Sequence, residues 1–217
     1  MLTHPTLKLA AFAAVSAMSL GACSTSSSTP TGTTEAASTT ITLADAYGLG
    51  GYNPVAGYAD LGVSLIYDGL MGLDSPDGHA MPTIIPKLAA EEPQHNDDFT
   101  QWDVVLRDGV TFHDGSTFDA ADVVATYEAI LDPASASEIA SSVEMVDKVS
   151  ATRDGDKEGV TFTLKYPYRD FASRLLLAIA PSERLTGGPA SESSLNREPV
   201  GTGPYRLEEL TADRAIF

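Results

Sequence analysis

Cysteine occurs once, at Cys23, and tryptophan once, at Trp102, in a chain of 217 residues. A single thiol excludes an internal disulfide even in a compartment that would permit one. Histidine is scarce as well. His4, His79, His95 and His113 are scattered, and no two lie at a spacing that a helix or hairpin would turn into a metal site. Positive charge is short: 13 Lys and Arg stand against 30 Asp and Glu, for a formal net charge of -17. Nucleic acid is excluded as a partner, because phosphate binding needs clustered Lys and Arg to replace counterions, and none cluster here. The acidity reads as a solvated surface or as attraction for cationic ligands, and net charge alone does not locate a site. The nucleophile elbow G-x-S-x-G, S-x-x-K, H-E-x-x-H and the phosphate loop G-x-x-x-x-G-K-[ST] are all missing, so nothing points to an enzyme, a catalytic residue or a cofactor.

What is present has the makeup of one soluble globular unit, with 43% hydrophobic and 20% charged residues. The N-terminus departs from that makeup. Lys8 precedes an apolar run from Leu9 to Leu20, and Leu20, Gly21 and Ala22 lead to Cys23. The run is too short to span a bilayer and fits a cleaved export signal over residues 1–22. The segment resembles a bacterial lipobox. That resemblance implies diacylglycerol on the Cys23 sulfur and Cys23 as the new N-terminus, with the protein lipid-anchored outside the cytoplasm. Residues 23–40 form a Ser/Thr-rich tether in which Glu35 is the only charge. It lacks the apolar side chains needed to offset its ordering entropy. Its reach is roughly 60 Å when stretched and on the order of 23 Å as a coil.

The folded region opens with a strand candidate at Ile41–Ala44, followed by a glycine-rich loop from Tyr47 to Tyr58. Tyr47, Tyr52 and Tyr58 on that loop could line a pocket or pack the loop onto its own domain. Val63, Ile66, Tyr67 and Leu70 have the spacing of one buried helical face, and Asp74–Gly78 reads as a turn. Trp102, Val104 and Leu106 alternate, Asp108-Gly109 is a preferred hairpin turn, and Val110 and Phe112 follow, so the pattern predicts a hairpin from Gln101 to His113. Asp119 with Asp122 resembles a capping box for a helix whose apolar face is Val123, Tyr127, Ile130 and Leu131, closed by Pro133. Phe162, Leu164 and Tyr166 alternate as a strand, Phe171, Leu175, Ala178 and Ile179 mark another helix ended by Pro181, and a strand begins at Tyr205. Strands and helices in this order indicate an α/β or α+β domain.

Four segments carry a specific resemblance: W-D-V-V-L-R-D-G-V-T-F-H-D-G-S-T-F-D-A-A-D-V-V over Trp102–Val124, Y-D-G-L-M-G-L over Tyr67–Leu73, I-P-K-L-A-A-E over Ile85–Glu91 and V-G-T-G-P-Y-R-L over Val200–Leu207. In order and spacing they resemble the family-5 extracellular solute-binding proteins, which bind oligopeptides, dipeptides or nickel for ABC importers. The resemblance implies an α/β, periplasmic-binding-protein-like fold of the type II, peptide-binding cluster. One lobe only is expected here, a mixed sheet with helices plus an inserted α+β subdomain. Residues 41–70 and 168–217 would form a partial first domain and residues 71–167 a second. The partners implied are a peptide ligand and ABC permease subunits, the ATPase acting indirectly. The loop after the first strand falls at the ligand cleft, which makes Tyr47, Tyr52, Asn53 and Tyr58 the candidate ligand contacts. No metal ligand is assigned.

His113 and Asp114 look like a catalytic pair, but the resemblance makes them a hairpin end. Gly201-Thr202-Gly203-Pro204 lacks the Lys and following helix of a phosphate loop. Family chains are typically more than twice this long, and the chain stops at Phe217 in what reads as a strand, with the opposing lobe absent. The expectation is that the 217-residue product binds peptides weakly or not at all. Nickel or another small solute is the alternative ligand. Two further readings are a secreted hydrolase completed by residues not present and a surface lipoprotein with an adhesion or signalling role.

Overall fold

A computed structural model describes residues 51–74 and 81–217. The signal segment, Cys23, the tether, the strand candidate at 41–44, Tyr47 and most of the turn at 74–78 lie outside the described residues.

Two short strands come first, β1 (Met71–Asp74) and β2 (Thr83–Pro86), paired antiparallel with Met71 opposite Pro86. A four-stranded antiparallel sheet follows, built from β3 (Gln94–His95), β4 (Gln101–Val105), β5 (Val146–Asp154) and β6 (Lys157–Leu164) in the spatial order β3-β4-β6-β5. Alternation explains its two faces: Trp102 and Val104 are buried while Gln101 and Asp103 between them are exposed. Val160, Phe162 and Leu164 continue the buried face on β6.

Helix α1 (Ala120–Leu131) covers that face with Val123, Tyr127 and Ile130. Its start is fixed locally. The Asp119 carboxylate accepts from the backbone of the first turn, and Asp122 accepts from the Asp119 N–H at 2.9 Å. Its end is fixed by Pro133, before which Asp132 turns to extended backbone. Between the layers the Tyr127 and Phe162 rings meet edge to face at 4.9 Å, and Phe171 joins Phe162 at 5.2 Å. The Tyr127 hydroxyl is satisfied by the Arg174 carbonyl at 3.1 Å.

Four sequence expectations are corrected. The Asp108-Gly109 turn forms, with Gly109 at φ 72°, yet no hairpin runs from Gln101 to His113. Both edges of β4 are already taken, one by β6 and the other by β3 and the segment 88–90, through Ala90 N–H to Val105 O and Arg107 N–H to Leu88 O. Residues 110–112 fold back instead on 116–118, bridging Thr111 to Thr117.

No helix forms over Val63–Leu70. Ala59 and Gly62 take left-handed backbone, and the Ser64 hydroxyl accepts from both Ile66 N–H and Tyr67 N–H at 3.0 Å, which offers the backbone a turn in place of a helix. Ile66, Tyr67 and Leu70 are buried as their spacing suggests, but Val63 is 74% exposed. Phe171–Leu176 is a 3-10 helix that does not continue, because Ala178 bridges to Gly69 and the Ile179 N–H donates to the Asp68 carbonyl. Tyr205 lies outside any strand. The strands there are β7 (Glu209–Leu210) and β8 (Ala215–Ile216), while Tyr205 N–H donates to Leu65 O.

All described residues belong to one unit, Ala44–Phe217. Its larger apolar cluster lies under the sheet and α1. A smaller one, Tyr52, Ile66, Tyr67, Ala178, Ala180 and Leu195, draws only on segments before β1 and after β6.

Candidate functional site

The loop at 51–58 is held by its own polar groups. Asn53 is buried, and its carbonyl oxygen accepts from Val55 N–H at 3.1 Å, capping the 3-10 turn Pro54–Ala56 that Pro54 opens. Its amide donates to the Ala190 carbonyl at 2.9 Å. The N–H groups of Gly51 and Tyr52 both point to the Asn196 carbonyl, so the segment 190–196 anchors the loop. Gly57 leaves the turn at φ 107°, a conformation that an L side chain rarely adopts.

The loop tyrosines come together. Tyr52 and Tyr58 meet edge to face at 5.2 Å, Tyr58 lies 6.0 Å from Tyr67, and Tyr52 lies 6.1 Å from Phe217. Tyr52 is buried in the smaller cluster and Tyr58 is half-buried beside it. Of the four candidate ligand contacts, three are therefore neighbours on one loop, and Tyr47 lies outside the described residues. Asn53 also walls an indentation of about 40 Å³ with Val55, Asp132, Ser135 and the segment 185–188. That is space for about one ordered water. The Asp132 carboxylate on its rim accepts from Ala134 N–H.

The four motif segments converge beside this loop. Gly203 N–H donates to Ile66 O at 2.7 Å, Val200 N–H to the Tyr67 hydroxyl at 3.2 Å, and the Thr202 hydroxyl to the Asp68 carboxylate at 3.2 Å. Burial pushes the Tyr67 phenol pKa upward against the weaker opposing pull of the Val200 hydrogen bond. A Cβ at Gly201 would sit 2.1 Å from the Ile66 carbonyl oxygen, so only glycine allows this approach. From the other side, Lys87 N–H and Ala89 N–H donate to Leu70 O, and Leu88 N–H to Gly69 O.

His113 completes this clasp. Its Nε2 lies 2.8 Å from the Gly203 carbonyl and its Nδ1 lies 3.4 Å from Gly201 N, while its backbone N–H donates to Gly201 O. A carbonyl partner requires the proton on Nε2, which leaves Nδ1 as acceptor for Gly201 N–H. Asp114 instead accepts from the N–H and hydroxyl of Ser116. Those bonds hold its pKa below the usual carboxylate range, with Arg184 contributing less. Among the described residues no hydrogen bond joins His113 to Asp114: the ring is held by Gly201 and Gly203, and the carboxylate by Ser116 in the turn between Thr111 and Thr117. The Gly201 and Gly203 N–H groups are consumed inside the fold and cannot cradle a phosphate.

Two open grooves flank the clasp. One, of about 260 Å³, is lined by His113, Asp114, Arg184, Arg197, Arg206 and Glu208 among others. The next, of about 280 Å³, shares His113, Arg206 and Glu208 and reaches Tyr205 and Phe217. Sequence reasoning missed these arginines as a group, because positions 184, 197 and 206 share no periodicity and only Arg206 lies in a motif segment, Val200–Leu207.

Comparisons with known proteins agree on one lineage. The family model described as Bacterial extracellular solute-binding proteins, family 5 Middle, matches residues 83–217. Protein XP55 of Streptomyces lividans is 37% identical over 199 residues, which cover 89% of this chain and 35% of that protein. The crystal structure of NikZ from Campylobacter jejuni in complex with Ni(L-His) superimposes with a TM-score of 0.63 at 30% identity, over 73% of this chain and 31% of NikZ. The oligopeptide-binding protein AppA from Bacillus subtilis, in complex with a nonapeptide, gives a TM-score of 0.57 at 30% identity, over 68% of this chain and 29% of AppA. The chain thus spans about a third of the length of the relatives it matches.

Proposed function

The chain belongs to family 5 of the bacterial extracellular solute-binding proteins, and from that premise we propose that it serves an ABC importer as an extracytoplasmic substrate-binding lipoprotein that captures di- and oligopeptides. The observation that carries this reading is the convergence of all four family segments into one hydrogen-bonded clasp next to the 51–58 loop. The task is binding rather than catalysis. The His113 ring is spent on backbone groups and the Asp114 carboxylate on Ser116.

In this reading Tyr47, Tyr52, Asn53 and Tyr58 contact the ligand. The edge-to-face pair of Tyr52 and Tyr58 supports that, as does the place of Asn53 on the wall of the neighbouring indentation. Segments 41–70 and 168–217 form one domain and 71–167 another. The smaller apolar cluster supports this division, since it draws only on segments before β1 and after β6. Cys23 carries the lipid that keeps the protein at the membrane, where permease subunits receive the ligand.

The likeness to NikZ bound to Ni(L-His) favours a second ligand, a nickel complex. Uptake measurements separate the two. Cells in which the gene is deleted should lose uptake of labelled dipeptides and tripeptides, and the reintroduced gene should restore it. Loss of radioactive nickel uptake alone would select the second ligand, and unchanged uptake of all of them would refute the importer role. Labelled palmitate should enter the wild-type protein and not Cys23→Ser.

A further inference from the structure

We propose that the groove beside the clasp is a second binding site, one that takes the carboxylate of a small solute between Arg197 and Arg206. Acids outnumber bases more than two to one in this chain, so a cation should find a carboxylate almost anywhere on its surface. The guanidinium groups of Arg197 and Arg206 nevertheless have no ion-pair or hydrogen-bond partner among the described residues, and both residues line one groove of about 260 Å³.

The nearby carboxylates are largely committed elsewhere. Glu209 is held by Arg214 at 2.7 Å, Glu198 by Arg184 at 3.6 Å, and Asp114 accepts twice from Ser116. Two guanidinium groups on one groove are thereby left without a carboxylate, and each carries the planar donor pair that can bind an oxyanion in bidentate geometry. Glu208, also on the groove, keeps its charge unpaired among the described residues. With Asp114, Glu198, Glu208 and Glu209 on the lining against Arg184, Arg197 and Arg206, acids outnumber bases there, which disfavours a dianion more than a monoanion and favours a carboxylate over inorganic phosphate. His113 also lines the groove, and its ring is held by Gly201 and Gly203, so the groove is pre-shaped where His113 borders it. The site is separate from the 51–58 loop and does not depend on the importer role.

The test is an NMR titration of the 15N-labelled protein, following the arginine Nε–H signals. Sodium acetate and glycylglycine should shift Arg197 and Arg206 saturably. Affinity should be on the order of 10 mM, because the groove is open and its charges are screened. Glycylglycine amide, chloride at equal ionic strength and phosphate should each shift them less. The variant Arg197→Gln/Arg206→Gln changes two exposed side chains and should keep its far-ultraviolet circular dichroism. It should weaken acetate binding by about ten-fold or more. Three outcomes would overturn the proposal: shifts no larger than those from chloride, acetate binding unchanged in the double variant, or phosphate bound more tightly than acetate.

Discussion

The layered region of residues 94–164 and the segments that clasp it, 51–70 and 171–217, are held together in different ways. In the first, strands and α1 bury Val104, Phe162, Tyr127 and Ile130 through regular alternation and helical spacing, and backbone hydrogen bonds run within the ladders. In the second, regular structure is confined to short 3-10 turns and two-residue strands. Order there comes from single long-range bonds, such as Val200 N–H to Tyr67 and Asn53 to Ala190, and from glycines that let backbones touch. The lesson is that the first region spreads its polar contacts over regular ladders, whereas the second concentrates them in a few bonds between distant segments.

The sharpest way to break that contrast is at Gly201. Gly201→Ala places a methyl group 2.1 Å from the Ile66 carbonyl, and the expected cost is about 5 kcal/mol, read as a shift in the urea midpoint. In the layered region, Phe162→Ala empties the space between Tyr127 and Phe171 and should cost about 4 kcal/mol in the same measurement.

His113→Ala is more discriminating. It leaves the Gly201 N–H and Gly203 carbonyl without their ring partners and should cost about 2 kcal/mol. Amide exchange should accelerate at Gly203 and Tyr205, which donate to Ile66 and Leu65, well beyond any change at Leu164 in the sheet. Equal acceleration at all three would erase the distinction between the regions. Asp119→Ala removes the N-cap of α1 and should cost about 1 kcal/mol, with helix content otherwise retained by circular dichroism.

The smallest effect concerns pH at the seam between the regions. Asp122 on α1 accepts from Ser182 N–H at 2.7 Å and from Asp119 N–H. Burial nevertheless raises its pKa above the ordinary aspartate value, outweighing those donors. A carboxyl whose folded pKa is raised contributes stability that is fully present below the unfolded pKa and is lost as pH rises through the folded one. Carbon-13 titration of Asp122 should show a midpoint above that of an unfolded aspartate. Asp122→Asn should remove this residue's share of the pH dependence.

Local signals were read correctly where local forces decide. The Asp119–Asp122 box, the apolar face of α1 and its end before Pro133 involve neighbours within a turn or two. The Asp108-Gly109 turn was equally legible, but the partner of β4 was not. Trp102 lies opposite Phe162 in β6, sixty positions away, and only the competition of distant strands selects that pairing over a local hairpin. The helix expected at 63–70 failed for a comparable reason. Its apolar spacing is genuine, yet the Ser64 hydroxyl and the close approach of Gly69 to the Leu176 carbonyl favour an irregular path.

At the candidate site, Asn53 before Pro54 was visible as a turn, but its bond to Ala190 was not. Arg197 gave no sign, and Arg206 lay inside the Val200–Leu207 segment without standing out, because the groove exists only once the segment from 197 to 210 has folded around His113.

The sequence by itself determined the composition limits, the family lineage and every element whose cause lies within a few residues, because capping, proline stops and alternation act at short range. Tertiary structure alone decided which strands pair, where the chain abandons helix for turn, and which distant arginines share a groove. Those outcomes depend on contacts between segments far apart in the chain, whose free energy is set by the packed arrangement and not by any local pattern of residues.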